Sequence, residues 1–201
     1  TVAFISGNGV AAAQDGYFDS FISGTWQPIL CLAVFILATA TVVFLGVEKG
    51  IEKVSKALMP LLVILTVGIA IYSVTLPGSF AGLVYYLKPD FKHFSITTVV
   101  AAMGQLFYSM SLAMGIMITY GSYMKKENPL EKSVRQIEIF DTAIAFFAGL
   151  MIIPSVFVFS GGNEEALSKG PSLMFITLPK VFDNMKLGGI IGTVFFVLVL
   201  F

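Results

Sequence analysis

The chain has 201 residues, 57% of them hydrophobic and only 12% charged, with 19 phenylalanines and twelve basic residues balanced by twelve acidic ones. A soluble domain carries about 25% charged residues, so these figures point to a protein embedded in a lipid bilayer, and the balanced charge gives no field that would gather nucleic acid. Cys31 is the one cysteine and His93 the one histidine, which leaves no internal disulfide, no cluster to hold zinc and no nucleophile and base for an enzyme.

Residues 1–26 mix small, polar and aromatic side chains, as in Gly7-Asn8-Gly9 and Gln14-Asp15-Gly16, and read as a loop outside the membrane. Thr1 opens on no signal-peptide pattern and an apolar run is still in progress at Phe201, so both ends are expected to be cuts through a longer protein. A first membrane span is expected over 28–46, with Pro28 in the first turn, where its missing N–H costs nothing. Lys49, Lys53 and Lys56 follow within one short connection and mark it as cytoplasmic. A second span is expected over 57–76. Pro60 removes a hydrogen bond from its first turns, and together with Gly50 it brackets a cytoplasmic half-helix able to unwind. A loop glycine and a passive kink are the alternative. Pro77-Gly78 closes this span, Tyr85 and Tyr86 suit the outer interface, and His93 reads as a loop histidine.

Residues 94–124 contain no charged side chain. At 1.5 Å per residue that run is half again longer than a hydrocarbon core requires. Within it, Gly104-Gln105-Leu106-Phe107-Tyr108-Ser109-Met110-Ser111-Leu112-Ala113-Met114-Gly115 puts small and polar residues in mid-span, where a break in the helix is expected. In lipid such a break survives only where the freed N–H and C=O groups line a protein-walled cavity, and broken helices of this kind hold substrate and ions in secondary transporters. A continuous helix, with Ser109 and Ser111 bonded back to its own carbonyls, is the alternative. Lys125, Lys126, Lys132 and Arg135 place the next connection inside, which brings seven of the twelve basic residues to the inner connections.

A fourth span over 134–159 contains Pro154 and, as its intramembrane charge, Asp141. An aspartate at that depth costs several kcal/mol unless it is paired, protonated or coordinated, so it marks a functional site. A helix-start carboxylate at the inner interface, three residues after Glu138, is the alternative. Residues 160–186 form a loop in which Gly170-Pro171 through Pro179 is apolar, bracketed by prolines and too short to span; it is expected to lie on the outer face as a lid. Gly188-Gly189 opens a fifth span over 187–201. The 201 residues are taken as one partial transmembrane domain.

Gly104-Gln105 through Met114-Gly115 with Ile118-Thr119-Tyr120-Gly121-Ser122-Tyr123, the Gly50 and Pro60 pair, and Gly170-Pro171 with Phe175-Ile176-Thr177-Leu178-Pro179 together resemble the neurotransmitter:sodium symporter family in its bacterial amino-acid-transporting branch. The resemblance covers nearly the whole chain. It implies an all-α integral membrane fold of inverted repeats with discontinuous helices, of which these residues would be helices four to seven and the start of helix eight. It also implies that Ser109 binds, through hydroxyl and carbonyl, a sodium ion that touches the substrate carboxylate, and that Tyr108 caps the substrate from outside. Ser111 and Met114 would wall the side-chain pocket, with Leu112 and Ala113 in the unwound backbone. Tyr123 would belong to the cytoplasmic gate, and the segment from Gly50 to Pro60 would unwind to admit water to a second sodium site.

Asp141 falls where many members of that family carry a sodium-binding asparagine. Chloride-dependent members hold an anion beside that position, partly through the residues matching Gln105 and Ser109. Some chloride-independent members carry an acidic residue one turn later, where this chain has Ala145. Asp141 is therefore expected to act as sodium ligand and chloride substitute at once, with Gln105 in the same charge site. Met114 stands at a position that can be Phe in other members, and its flexible thioether can adapt to a ring or a branched chain, so the expected substrate is a hydrophobic or aromatic amino acid. The expected activity is sodium-coupled symport of that amino acid across a bacterial cytoplasmic membrane by alternating access, without chloride and with no organic cofactor. Two alternatives stand beside it: a proton-coupled permease with Asp141 as proton carrier, separable by sodium dependence, and a non-transporting membrane sensor of the same fold, which would bind without flux.

Overall fold

The computed structural model describes residues 2–44, 47–89, 91–92, 94–112, 114–124, 129–170 and 172–200, with Val2, Val42, Val43, residues 47–54, Ala57, Tyr123 and Lys169 described by backbone alone. His93, Ala113, Lys125 and Lys126 lie outside the described residues. Among the described residues the architecture is all-α, and the chain divides into a unit formed by residues 1–86 with 150–201 and a second formed by residues 87–149.

The first unit opens with three short helices, α1 (Val2–Ile5), α2 (Gly9–Ala12) and α3 (Tyr17–Ser23), in the segment expected to be loop. Gly7 and Gly16, at φ of 78° and 81°, turn the chain between them, a backbone conformation that glycine adopts without steric cost. An 80° bend separates α3 from α4 (Trp26–Phe44). Pro28 sits in the first turn of α4, and the helix is apolar all round, with side chains such as Leu32, Phe35 and Leu37 exposed, as suits a helix facing lipid or other membrane helices.

α5 (Val47–Thr75) differs from the expected start at residue 57. Its first turns run through the Glu48 to Lys56 stretch, because Glu and Lys are good helix formers. Gly50 and Pro60 are thus both inside a continuously helical segment. Beyond Thr75, Gly78 (φ 88°) turns the chain into α6 (Ser79–Leu87), where Ser79 Oγ donates to the Val74 carbonyl at 2.5 Å. Gly82 of α6 lies so close to the later helix at Pro154 that a Cβ there would sit 2.7 Å from the Pro154 Cα.

The second unit holds α7 (Ile96–Ser109), α8 (Ile116–Tyr123) and the greater part of α9 (Leu130–Phe159), whose last turns from Leu150 belong to the first unit. The segment of α5 from Leu58 to Thr75 and the whole of α9 are long and apolar enough to cross a membrane, and α3 with α4 meets the same test as a bent pair. After α9 a 3-10 turn over Glu164–Lys169 starts from Asn163, whose side-chain oxygen accepts the Glu165 N–H at 2.9 Å. α10 (Ser172–Asp183) and α11 (Gly188–Leu200) complete the chain.

The core of the first unit forms where α10 and α11 meet α1. Thr177, Leu178, Val181 and Phe182 line one face of α10 and are all buried, at the spacing of one helix stripe. Phe182 meets Phe4 edge-on at 5.9 Å and Phe196 edge-on at 5.8 Å, arrangements that the ring quadrupoles favour. Such close approach needs glycine on α11: a Cβ on Gly188 would lie 1.5 Å from the Phe182 carbonyl oxygen, and one on Gly192 would lie 2.5 Å from the Phe4 ring. The outer end of α5 joins this group through Tyr72, whose hydroxyl donates to the Asn184 carbonyl at 2.9 Å.

Candidate functional site

The charge-free run from 94 to 124 is two helices, not one. α7 stops at Ser109 and α8 begins at Ile116. The stop is a defined hydrogen-bonded turn: the Leu112 N–H donates to the Phe107 carbonyl at 3.1 Å and the Ser111 N–H to the Tyr108 carbonyl at 3.1 Å. These are the two bonds of a Schellman motif, which requires a left-handed residue at the position of Ser111. Ser111 has φ of 54° and is the one non-glycine with positive φ among the described residues. A side chain in that conformation costs roughly 1 kcal/mol, a strain of the kind found at ligand sites. Gly115, at φ of 71°, then caps the start of α8, and the Thr119 N–H and Oγ1 both return to its carbonyl, at 3.0 and 3.1 Å.

Among the described residues, no N–H donates to the carbonyls of Ser109, Met110, Ser111 or Leu112. The carbonyl end of α7 carries partial negative charge and the N–H end of α8 partial positive charge. Two ends of opposite sign therefore border the segment 110–115, one suited to a cation and the other to an anion.

Asp141 of α9 and Ser109 at the end of α7 are 32 residues apart and in direct contact. Ser109 Oγ donates to the Asp141 carboxylate, 2.6 Å from Oδ1 and 2.8 Å from Oδ2. One hydroxyl proton shared between both carboxylate oxygens leaves lone pairs on all three oxygens. With the carbonyls of the break, the second unit offers an all-oxygen donor set of the kind that suits a hard cation. Asp141 is half-buried and thus partly shielded from water, and Ala145, one turn on, is exposed.

The other expected site residues are placed as follows. Gln105 lies one turn before Ser109 on α7, exposed, and its side chain makes no hydrogen bond among the described residues. Tyr108, Leu112 and Met114 are exposed along the end of α7 and the break, while Ser111 is half-buried. Tyr123 ends α8, with its side chain outside the described residues, and Gly50 and Pro60 belong to α5 in the first unit. Sequence reasoning had assigned Ser111 a place on a pocket wall and missed that it forms the stop itself. Its proximity to Gly115, the pair together ending one helix and starting the next, is the signal that could have found it.

Residues 17–201 match the profile described as the Sodium:neurotransmitter symporter family. An uncharacterized sodium-dependent transporter of Bacillus subtilis (strain 168), YhdH, is 35% identical over 191 residues, which are 94% of this chain and 41% of that protein. An uncharacterized sodium-dependent transporter of Haemophilus influenzae is 37% identical over 185 residues, 92% of this chain and 40% of that protein. The crystal structure of MhsT in complex with L-phenylalanine matches 99% of this chain and 45% of its own, with a TM-score of 0.88 and 39% sequence identity. The chain thus spans less than half the length of the relatives it matches.

Proposed function

Because the chain belongs to the Sodium:neurotransmitter symporter family, we propose that it is part of a transporter that carries an amino acid together with sodium across the bacterial cytoplasmic membrane, without chloride. The observation that carries this reading is the contact of Ser109 with both oxygens of Asp141 at the broken end of α7. A sodium ion held by Ser109, Asp141 and the carbonyls of the break would give the negative end of α7 a counter-charge. The amino acid's carboxylate would meet that sodium and the N–H end of α8, and its ammonium any carbonyl at the end of α7 that sodium leaves uncoordinated. The side chain would lie against Tyr108, Ser111, Leu112, Ala113 and Met114. The complex of MhsT with L-phenylalanine, at 39% identity, supports a hydrophobic or aromatic substrate.

Asp141 carries the chloride-independent part of the proposal. A fixed carboxylate beside the ion supplies the negative charge that a bound chloride would otherwise provide, with Gln105 at its flank. Alternating access would follow from closing α10 as the outer lid while the inner half opens, with Tyr123 at the inner gate and the first turns of α5, from Gly50 to Pro60, loosening where proline has removed a hydrogen bond.

The test is uptake of radiolabelled amino acids by the full-length protein in liposomes under an inward sodium gradient, with chloride present or replaced by gluconate. Uptake should require sodium and ignore chloride in the parent, and in Asp141→Asn it should fall and become chloride-responsive. An Asp141→Asn protein with unchanged, chloride-indifferent uptake would remove the role given to Asp141. Uptake driven by a proton gradient without sodium would favour a proton-coupled permease, and binding without uptake a sensor.

A further inference from the structure

The turn between α2 and α3 is clasped to the outer side of α10 at two points. Gly16, in the left-handed region, turns the chain so that Asp15 and Phe18 both reach α10. Asp15 pairs with the Lys180 ammonium. Phe18 lies flat on Phe175, with ring centroids 5.8 Å apart and planes 3° from parallel, and Phe175 in turn lies on Phe196 of α11 at 6.0 Å and 17°. A three-ring stack thus passes from α3 through α10 to α11.

The two clasp points differ from the rest of the α10 contact. The inner face of α10 is dry, whereas Asp15 is 88% exposed above a Lys180 side chain that is only 19% exposed, and Phe175 is 43% exposed. An ion pair of this kind is weak, reversible and screened by salt, and flat rings at the rim can separate without opening the core beneath. These properties suit a fastening that is made and broken, not a permanent joint.

We propose that Asp15 and Phe18 are the fixed half of a latch, and Lys180 and Phe175 the moving half, which holds α10 down and so sets how often the outer face opens. The inference rests on reading α10 as the outer lid. Asp15 acts through Lys180 and is a positioning residue.

The test uses the full-length protein in liposomes on a cysteine-free background, with Thr177→Cys reporting on the buried face of α10 and Ser73→Cys, fully buried in α5, reporting on general loosening. The reaction rate with an external, membrane-impermeant methanethiosulfonate is measured. Asp15→Asn and Lys180→Met should each raise the rate at Thr177→Cys about two- to fivefold, the population shift expected from losing an exposed ion pair, and leave Ser73→Cys unreactive. The charge swap Asp15→Lys with Lys180→Asp should return the rate toward that of the parent, and high external salt should speed the parent and the swap but not the single variants. Equal rates in parent and single variants, a swap as fast as the single variants, or a matching rise at Ser73→Cys would overturn the latch. Sodium-driven uptake measured on the same vesicles tests the transport reading separately, since the thiol rates decide the latch whether or not uptake is seen.

Discussion

Ser111 and Gly161 occupy the same place in the same turn. At the end of α9 the Gly162 N–H donates to the Phe157 carbonyl at 2.9 Å and Gly161 takes the left-handed conformation at φ of 67°; at the end of α7 the equivalent bond comes from Leu112, and a serine takes the strain. Ser111→Gly should therefore stabilise the full-length protein by about 1 kcal/mol, read as a rise in its thermal unfolding midpoint in detergent. Ser109→Ala removes the hydroxyl that donates to Asp141. A hydrogen bond to a charged group is worth roughly 1.5 kcal/mol or more, so the half-saturating sodium concentration for uptake should rise about tenfold. The two sites were not equally legible in the sequence. A charge-free run too long for one span announced a break, but serine is common in membrane helices, so its left-handed conformation left no mark. The contact of Ser109 with Asp141 joins residues 32 positions apart, a distance at which no periodicity reports proximity.

Between elements, glycine sets how closely helices approach. At Gly82 a Cβ would meet the Pro154 Cα at 2.7 Å and the Ile153 carbonyl at 3.1 Å, and backbone atoms cannot swing aside as side chains do. Gly82→Ala should cost roughly 1–3 kcal/mol, the usual penalty of overpacking, seen as a lower unfolding midpoint. Gly192→Ala meets mainly the Phe4 and Phe182 rings, which can rotate, so its loss should fall at the lower end of that range. The sequence showed where apolar runs begin and end but misplaced several helix limits. Charge reads as connection at Glu48 to Lys53, although those residues favour helix, and the small residues of 1–26 read as loop, although they form three short helices tied to α10 and α11 by Phe4, Phe18 and Asp15. Both corrections have the same cause: composition separates membrane from water, and a helix continues across that boundary wherever its residues allow.

For the whole molecule, sodium and an amino acid held, as proposed, at one broken helix would be reciprocally coupled. Whatever factor sodium adds to amino acid affinity, the amino acid must add to sodium affinity. Equilibrium binding of each at fixed concentrations of the other should return the same factor, and a factor above one should make the full-length protein unfold at a higher temperature with both present than the separate shifts would give. A factor of one would mean that the two do not meet at one site.

The Tyr72 hydroxyl donates to a main-chain carbonyl, that of Asn184, and every amino acid supplies that acceptor. The tether between α5 and the end of α10 is therefore written into the gene at one end only. Mutations accumulating at codon 184 leave that acceptor in place, whereas a change at codon 72 to a residue without a long donor-bearing side chain erases it.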